Sequence, residues 1–324
     1  MFSRLTLSIL VAAGFVGTSP VLAQPKQGYP VKPIHVVSGF PPGGVNDAVA
    51  RTISTKLAEN FSTAVVVDNR PGAAGTLAAA MVARAEPNGY TLLVYSSGFA
   101  INAAIQESLP YDPRKDFAGV AQIGPITQAL IVSPLLGVKS VTELVALAKA
   151  QPGKIILGSS GAGTGSHLIG ENVRLVAGIK VVHVGFKGNA DMLIQIAGGR
   201  VHYGISALGP AMPLVKDGKL MVLAVTSPQR SAVLPDVPTL AESLPGFKYQ
   251  GGFGLLAPAR TPRNIVNLLN KEVGQILGQA DARERLVSAG IVPTTSSPEQ
   301  FDRIVREEIE YFTKLVRDIG LRKP

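Results

Sequence analysis

Short apolar segments alternate with amphipathic helical patterns along most of this chain. A run of roughly four to eight apolar or β-branched residues is typical of a buried strand, whereas apolar positions three or four apart are typical of a helix packed on one face. Strands are predicted at residues 34–37, 64–67, 91–95, 129–132, 154–157, 181–184, 202–205 and 220–225. Helices are predicted at residues 47–60, 75–85, 140–150, 166–177, 190–197 and 210–216. This alternation predicts the α/β class, with parallel-rich sheets covered by helices.

The C-terminal part of the chain has a different pattern, in which helices dominate. Further elements are predicted at 253–257 (strand) and at 261–277, 282–289 and 298–319 (helices). Ser297, followed three positions later by Gln300, is typical of a capping box at a helix start. The last helix carries an apolar stripe that includes Phe301 and Phe312. The stripe predicts that this helix folds back onto the N-terminal lobe.

The first 23 residues have the features of a cleaved signal peptide. Arg4 precedes an apolar run at residues 5–16, and Val21-Leu22-Ala23 forms a small-x-small cleavage site. We therefore predict export to the periplasm and a mature chain that begins at Gln24. The apolar run is too short for a membrane span, and no later stretch reaches the ~18 apolar residues that a span needs.

Composition narrows the classes of site that the chain can contain. The absence of cysteine excludes disulfides and thiolate metal sites. The formal net charge is +9, but the basic residues are scattered and few aromatic residues accompany them, so nucleic-acid binding is not favoured. A basic protein attracts anionic solutes, although an ordinary basic surface explains the charge equally well. The roughly 300 residues after the signal peptide exceed one comfortable core and predict two lobes.

Two Gly-rich turns carry the candidate chemistry. The 40–47 turn reads Phe40-Pro41-Pro42-Gly43-Gly44-Val45-Asn46-Asp47, and the 159–166 turn reads Ser159-Ser160-Gly161-Ala162-Gly163-Thr164-Gly165-Ser166. Each follows a predicted strand and precedes a predicted helix, so the free N–H groups of the helix point into the space above the turn. Glycine lets a ligand approach the backbone closely. Two anion cradles without paired acid and base groups predict a protein that holds a small acid rather than an enzyme.

Other interpretations of these residues are less well supported. Gly161-Ala162-Gly163 begins like a dinucleotide turn, but Ser166 stands in place of the third glycine. His167 and Glu171 are spaced to share a metal ion, yet no third ligand is identified, so no metal or cofactor is expected. Ser160 and His167 would suit a serine hydrolase, but the sequence around Ser160 breaks the nucleophile-elbow pattern.

Many short motifs occur in a single order along the chain. They are Tyr29-Pro30 with Lys32-Pro33-Ile34, the 40–47 turn, Asp68-Asn69-Arg70-Pro71-Gly72-Ala73 with Gly75, Pro87-Asn88-Gly89-Tyr90-Thr91-Leu92, Leu109-Pro110-Tyr111-Asp112-Pro113, the 159–166 turn with His167-Leu168, His183-Val184 with Lys187-Gly188, Leu223-Ala224-Val225-Thr226-Ser227 and Leu234-Pro235-Asp236-Val237-Pro238-Thr239. In these motifs the chain resembles the extracytoplasmic solute receptors of tripartite tricarboxylate transporters, the Bug or TctC-like proteins. The resemblance covers essentially all of the mature sequence.

The resemblance implies a type II-like periplasmic binding protein whose two lobes close on a small carboxylate. Ligand-binding residues carried over onto this chain are Phe40, Pro41, Gly43, Gly44, Val45, Asn46, Asp47, Ser159, Ser160, Gly161, Thr164, Ser166, His167, Lys187, Gly188 and Ser206. Lys187-Gly188 would lie near the same mouth, where Lys187 is interpreted as a solvated or structural cation rather than a direct contact. Asp47 is expected to cap its helix, because a second anion would repel a carboxylate ligand.

The chain departs from the family pattern at a few positions. Gly39 and Gly185-Phe186 replace residues that are usually Pro and Pro-Tyr. Ser206 stands where an Asp is common in the family. Because that Asp can favour an amino group, its loss makes a plain mono- or dicarboxylate a better expected ligand than an amino acid.

The sequence thus predicts lobe one from residues 24–125 with 228–324 and lobe two from residues 126–227. The expected function is to capture a small organic carboxylate and deliver it, as a monomer, to the membrane permease subunits of a tripartite tricarboxylate transporter. An alternative is a sensor that binds the same ligand and signals to a membrane histidine kinase. The hydrolase that would use Ser160 is the remaining alternative.

Overall fold

The computed structural model describes residues 28–231, 233–249 and 251–321, so the signal-peptide prediction lies outside the described residues. Within these ranges the strands form two five-stranded sheets. The first sheet contains, in spatial order, β2 (Val65–Asn69), β1 (Ile34–Ser38), β3 (Thr91–Ser96), β10 (Gly252–Pro258) and β4 (Phe117–Pro125). The second contains β7 (Val182–Gly185), β6 (Ile156–Ser159), β8 (Tyr203–Ala207), β5 (Gln128–Val132) and β9 (Met221–Val225).

Helices follow most of these strands and cover the sheets. They are α1 (Val45–Phe61), α2 (Thr76–Ala83), α3 (Ser97–Ile105), α4 (Val141–Ala150), α5 (Gly165–Ala177), α6 (Asn189–Ala197), α7 (Leu208–Lys216), α8 (Leu240–Ser243), α9 (Arg263–Gly278), α10 (Ala280–Ser288) and α11 (Pro298–Asp318). None of the helices in the described ranges combines the length and the apolar character needed to cross a bilayer.

The two sheets share one plan. In the first, β1 runs parallel to β2 and β3, while β10 is antiparallel to β3 and β4. In the second, β6 runs parallel to β7 and β8, while β5 is antiparallel to β8 and β9. The predicted two-lobed α/β class is therefore confirmed, with mixed rather than all-parallel sheets. Because parallel strands end at a common edge, the helices that follow them also begin there.

The chain passes between the sheets where β4 gives way to β5. Only two residues separate these strands, and one of them, Ile126, bridges to Ile291 beside the first sheet. The return path contains α8, which packs against α4 and β9 of the second sheet. The predicted lobe boundaries stay a prediction. They assign residues 228–324 to lobe one, although α8 within that range packs on the side of the second sheet.

The C-terminal helix folds back as its apolar stripe predicts. α11 packs against α3 and β4 of the first sheet. The Ser297 hydroxyl accepts the Gln300 N–H at 3.2 Å, and the Gln300 side chain accepts the Ser297 N–H at 2.9 Å. The predicted capping box is therefore confirmed, and it satisfies two N–H groups that the helix start leaves free.

Three elements were not predicted from the sequence: β4, α3 and the one-turn helix α8. The sequence of β4 does not alternate simply between apolar and polar residues. Gly119 lies against Asp302 of α11, and Gly124 has φ of 149°. α3 is buried over most of its surface, between the first sheet, α5 and α11. A helix surrounded by protein has no polar face, so its sequence lacks the amphipathic period that identifies surface helices.

Candidate functional site

The 40–47 turn joins β1 to α1 at the shared edge of the first sheet. Gly43 has φ of 87°, a conformation that favours glycine. The N-cap residue Gly44 is extended and offers no side-chain cap. The N–H groups of Val45, Asn46 and Asp47 in the first turn of α1 therefore have no acceptor within the helix. These groups can bind an anion at the positive end of the helix dipole.

Asp47 holds this turn in place. Its Oδ2 accepts the Gly43 N–H at 3.0 Å and Arg51 Nε at 2.8 Å, and its Oδ1 accepts Asn69 Nδ2 at 3.1 Å. Asn69 also donates to the Phe40 carbonyl at 3.1 Å. The bond from Arg51 holds the pKa of Asp47 below its usual value, against the opposing effect of burial. Asp47 thus accepts the N–H of the residue before the N-cap and fixes the turn, while the first N–H groups of α1 stay without a side-chain cap.

We expect Asp47→Asn to loosen the turn. Asparagine keeps the shape of the aspartate side chain but has one acceptor oxygen in place of two. Its NH₂ group would therefore face one of the donors that Asp47 binds, Gly43 and Arg51 on one oxygen or Asn69 on the other. A loss of roughly 1–3 kcal/mol in unfolding free energy is expected at pH 7, measured by urea denaturation. Because the pKa of Asp47 is lowered on folding, its contribution is present above the usual Asp pKa.

That contribution disappears as the pH falls through the folded pKa, so the difference between parent and variant should shrink in acid. Asp217→Asn is the matched control, because Asp217 pairs with Lys219 on an exposed surface. The control should change the unfolding free energy by less than about 0.5 kcal/mol. A difference for Asp47→Asn that stays constant down to acid pH would contradict the proposed role of the charge.

Two buried oxygen atoms at the same turn have no hydrogen-bond partner among the described residues. They are Ser38 Oγ, at the end of β1, and Asn46 Oδ1, in the first turn of α1. Buried polar groups are nearly always hydrogen-bonded, so this turn retains unused hydrogen-bonding capacity.

The 159–166 turn repeats the arrangement at the edge of the second sheet. It joins β6 to α5, and Gly161 and Gly163 have φ of 136° and 75°. Thr164 is the N-cap, and its hydroxyl donates to the Gly161 carbonyl at 2.7 Å rather than capping the helix. The N–H groups at the start of α5 are therefore free of intrahelical acceptors, as they are in α1.

Three hydroxyl groups cluster at the start of α5. Ser160 Oγ lies 3.3 Å from Thr164 Oγ1 and 2.9 Å from Ser166 Oγ, and the Thr164 and Ser166 hydroxyls are 3.0 Å apart. The Ser160 N–H donates to Ser166 Oγ at 3.0 Å. Hydroxyl groups can rotate, so such a cluster can direct donors toward an anion without carrying a charge.

Two stacked imidazoles hydrogen-bond to residues of this turn. The rings of His167 and His183 are 3.7 Å apart at 19°. His167 Nδ1 accepts the Gly163 N–H at 3.0 Å, and His183 Nε2 lies 2.7 Å from Ser159 Oγ. Burial, with a smaller effect from His183, lowers the pKa of His167 to about 4. His167 is therefore neutral at pH 7 and positions the turn rather than providing a cation.

The Ser160–His167 pair required by the hydrolase alternative is not formed. The Ser160 hydroxyl contacts Thr164 and Ser166, while the serine that meets an imidazole is Ser159. Ser159 is fully buried, so it is not accessible to a substrate. Across the described ranges, no three His, Asp or Glu side chains are grouped as metal ligands.

The other predicted residues lie at the next two strand ends of the second sheet. Gly188 is the extended N-cap of α6, and Lys187 beside it is exposed. Ser206 lies near the end of β8, is 1% exposed, and donates to the Ala207 carbonyl at 3.0 Å. Lys187 is thus placed as a solvated cation, and the Ser206 hydroxyl is already bonded to the backbone.

The start of α3 belongs to the same edge as the 40–47 turn and was missed from the sequence. Ser96 is its N-cap without a side-chain cap bond. A Cβ placed on Gly98 would lie 3.4 Å from the Phe40 ring. The available signal was Ser96-Ser97-Gly98 directly after a predicted strand, the same order of strand, small residues and helix as in the two turns.

The two lobes meet through α3 and α5. A Cβ placed on Gly163 would lie 3.2 Å from Ile105 Cδ1, and one on Gly165 would lie 3.8 Å from Ile101 Cδ1. The 159–166 turn therefore lies directly beside a helix of the first lobe. The start of α5 therefore lies where the second lobe meets α3 of the first lobe.

Comparison with known proteins agrees with this arrangement. The TctC pattern, described as the tripartite tricarboxylate transporter family receptor, matches residues 49–321. Rpa4515 of R. palustris, solved with adipate, is 34% identical with a TM-score of 0.80, over 90% of this chain and 99% of that chain. MatC (Rpa3494) from Rhodopseudomonas palustris, solved with bound malate, is 32% identical with a TM-score of 0.74, over 89% and 100% of the two chains. The periplasmic binding protein BugD is 28% identical with a TM-score of 0.76, over 91% and 100%.

Two sheets with helix N-termini collected at one edge of each, joined by a two-residue crossover and a longer return segment that contains α8, define a two-lobed α/β solute-binding protein. The chain belongs to the tripartite tricarboxylate transporter receptor family, which includes the Bug and TctC proteins. It is a solute-binding receptor of that family.

Proposed function

We propose that this receptor captures a small organic carboxylate between its lobes and delivers it to the permease subunits of a tripartite tricarboxylate transporter. The observation that carries the proposal is the pair of Gly-rich helix starts, at the 40–47 and 159–166 turns. Each offers free backbone N–H groups at the positive end of a helix. In the hydroxyl cluster, Thr164 gives its hydrogen to the Gly161 carbonyl, so the neutral donors that the cluster adds at the second turn come from Ser160 and Ser166.

The ligand class follows from the charges around these turns. Asp47 is engaged by Arg51, and Lys187 is exposed, so neither side chain supplies a buried ion partner for the ligand. Recognition by backbone dipoles and hydroxyls suits a carboxylate and does not require an amino group. The bound adipate of Rpa4515 and the bound malate of MatC support dicarboxylates as the first compounds to test.

Binding without chemistry is tested by thermal shift. The purified protein is screened with succinate, malate, adipate, aspartate and benzoate, each with and without EDTA. We expect at least one dicarboxylate to raise the melting temperature by mass action, since it binds only the folded state. The shift should survive EDTA, and the acid should be recovered unchanged. The absence of a shift with every acid would contradict the proposal, as would a shift that EDTA abolishes.

Delivery to a permease requires export, and we propose that the protein acts in the periplasm. The intact mass of the protein from a periplasmic extract is expected to correspond to a chain that begins at Gln24, because the Val21-Leu22-Ala23 site directs cleavage there. A full-length product confined to the cytoplasm of the native host would contradict this prediction.

A further inference from the structure

Polar side chains from both lobes form a chain where the polypeptide crosses between the sheets, half-buried at Gln128 and buried at Glu308. Gln128 Nε2, at the start of β5, donates to the Tyr249 hydroxyl at 3.1 Å. Ser97, at the start of α3, lies beside Tyr249, because a Cβ placed on Gly251 would be 2.8 Å from Ser97 Oγ and 2.1 Å from the Tyr249 hydroxyl oxygen. The Ser97 hydroxyl also lowers the pKa of Glu308 against the effect of burial, as a donor to that carboxylate does. Glu308 of α11 also accepts the Tyr95 hydroxyl at 2.7 Å. We call these five side chains the crossover relay.

The bonding capacity of its members fixes the direction of the crossover relay. An ionised Glu308 can only accept, so Ser97 donates its single hydrogen to it. Ser97 Oγ already accepts the Gly252 N–H at 2.9 Å. Its remaining lone pair is therefore the one left for the Tyr249 hydroxyl hydrogen. The Tyr249 oxygen must then accept from Gln128. The amide of Gln128 is therefore held with its NH₂ group, and not its oxygen, toward Tyr249.

The same NH₂ group lies beside the 159–166 turn. Gln128 pairs with Ala207, at the end of β8, so it sits at the edge where α5 and α7 begin. A Cβ placed on Gly165, the first residue of α5, would lie 4.0 Å from Gln128 Nε2. An NH₂ group has two hydrogens, and Tyr249 takes one of them. No acceptor among the described residues takes the second, which lies next to the free N–H groups of α5.

We propose that Gln128 is a ligand-contacting residue that donates this second hydrogen to the bound carboxylate, and that Glu308 is the positioning residue that orients the Gln128 amide through the crossover relay. The inference rests on the proposed function and adds a side-chain donor to a site otherwise built from backbone and hydroxyl groups. A reversed amide would place a carbonyl oxygen where the carboxylate binds, and the two would repel.

The test compares isosteric variants by calorimetry with adipate and with malate. Burial raises the pKa of Glu308 to about 7, so titrations are run near pH ~8.5, where its carboxylate is ionised. Gln128→Met removes one hydrogen bond to a charged group and should weaken binding roughly 10- to 100-fold. Gln128→Glu replaces the donor with a like charge and should weaken it by more than about 100-fold. Gln195→Glu, on α6 away from both turns, adds the same charge and should bind like the parent.

Glu308→Gln tests the positioning role. The amide that this change introduces can donate to Ser97 as well as accept from it, so the Gln128 amide is no longer held in one orientation. Binding should weaken about 3- to 10-fold, which corresponds to one hydrogen bond. In the Gln128→Met variant, adding Glu308→Gln should cause no further loss of affinity, because the amide that Glu308 orients is absent. An equal loss in both backgrounds would show a general structural effect and overturn the positioning role.

The outcomes separate this inference from the proposed function. If the parent binds adipate or malate and Gln128→Glu binds it equally well, the role of Gln128 is overturned and the receptor function stands. A parent that binds neither these acids nor any other acid of the thermal-shift panel overturns the proposed function and this inference together.

Discussion

Gly161→Asp is expected to abolish carboxylate binding, with a loss of more than about 100-fold in affinity. Gly161 lies at the centre of the 159–166 turn, and its carbonyl accepts the hydroxyls of Ser159 and Thr164 at 3.0 and 2.7 Å. Its φ of 136° is one that side chains rarely adopt, and the new carboxylate would lie close to the bound anion. The measurement is calorimetric affinity for the acid that gives the largest thermal shift.

Two control variants separate charge from backbone strain. Gly161→Asn has the size and strain of the aspartate without its charge, so it should retain more affinity than Gly161→Asp. Gly153→Asp adds the same charge at another positive φ, 77°, where nothing lies within 4 Å of the new Cβ, and should bind normally. Should Lys187→Ala eliminate binding while Gly161→Asp leaves it intact, the anion site would be wrongly assigned.

Phe301→Ala is expected to lower the free energy of unfolding by about 3–5 kcal/mol. Phe301 is 1% exposed and meets the Tyr95 ring edge-on, with 5.5 Å between ring centroids. It lies so close to β10 that a Cβ on Gly254 would be 2.1 Å from its ring. Removing the ring leaves a cavity between α11 and the first sheet. Urea denaturation, followed by circular dichroism, measures the change.

Leu135→Ala provides the comparison at the surface. Leu135 is 78% exposed, so truncating it should change the unfolding free energy by less than about 0.5 kcal/mol. Phe301→Leu keeps most of the volume and should cost less than Phe301→Ala. Equal stability for the parent and Phe301→Ala would show that α11 is not held by this contact.

The sequence predicted most of the strands and helices because their patterns are local. The segment 34–37 corresponds to β1, which extends one residue further, and 166–177 corresponds to α5, which begins one residue earlier. Such strands are apolar because both faces of the sheet are covered, and the surface helices keep one polar face. The same local signals located the two Gly-rich turns, since a strand, a tight turn and a helix follow one another in the chain.

Two of the missed elements, β4 and α3, depend on packing between distant segments. β4 contains Gly119 because Asp302 of α11 occupies the space where a side chain would lie. The Oδ1 atom of Asp302 accepts the Gly119 N–H at 2.6 Å. That contact joins residues 183 positions apart. α3 shows no polar face because neighbouring helices cover it. No local window contains the residues that impose these choices.

The sequence by itself determined the α/β class, the order of most elements, the capping box at Ser297 and the positions of the two Gly-rich turns, because each rests on residues close together in the chain. Only the tertiary structure decided which side chains serve those turns. It assigned Asp47 to Arg51 and Asn69, paired Ser159 rather than Ser160 with an imidazole, and brought Gln128 beside α5. Side-chain direction and long-range proximity follow from how the sheets pack, and hydropathy patterns carry no record of either.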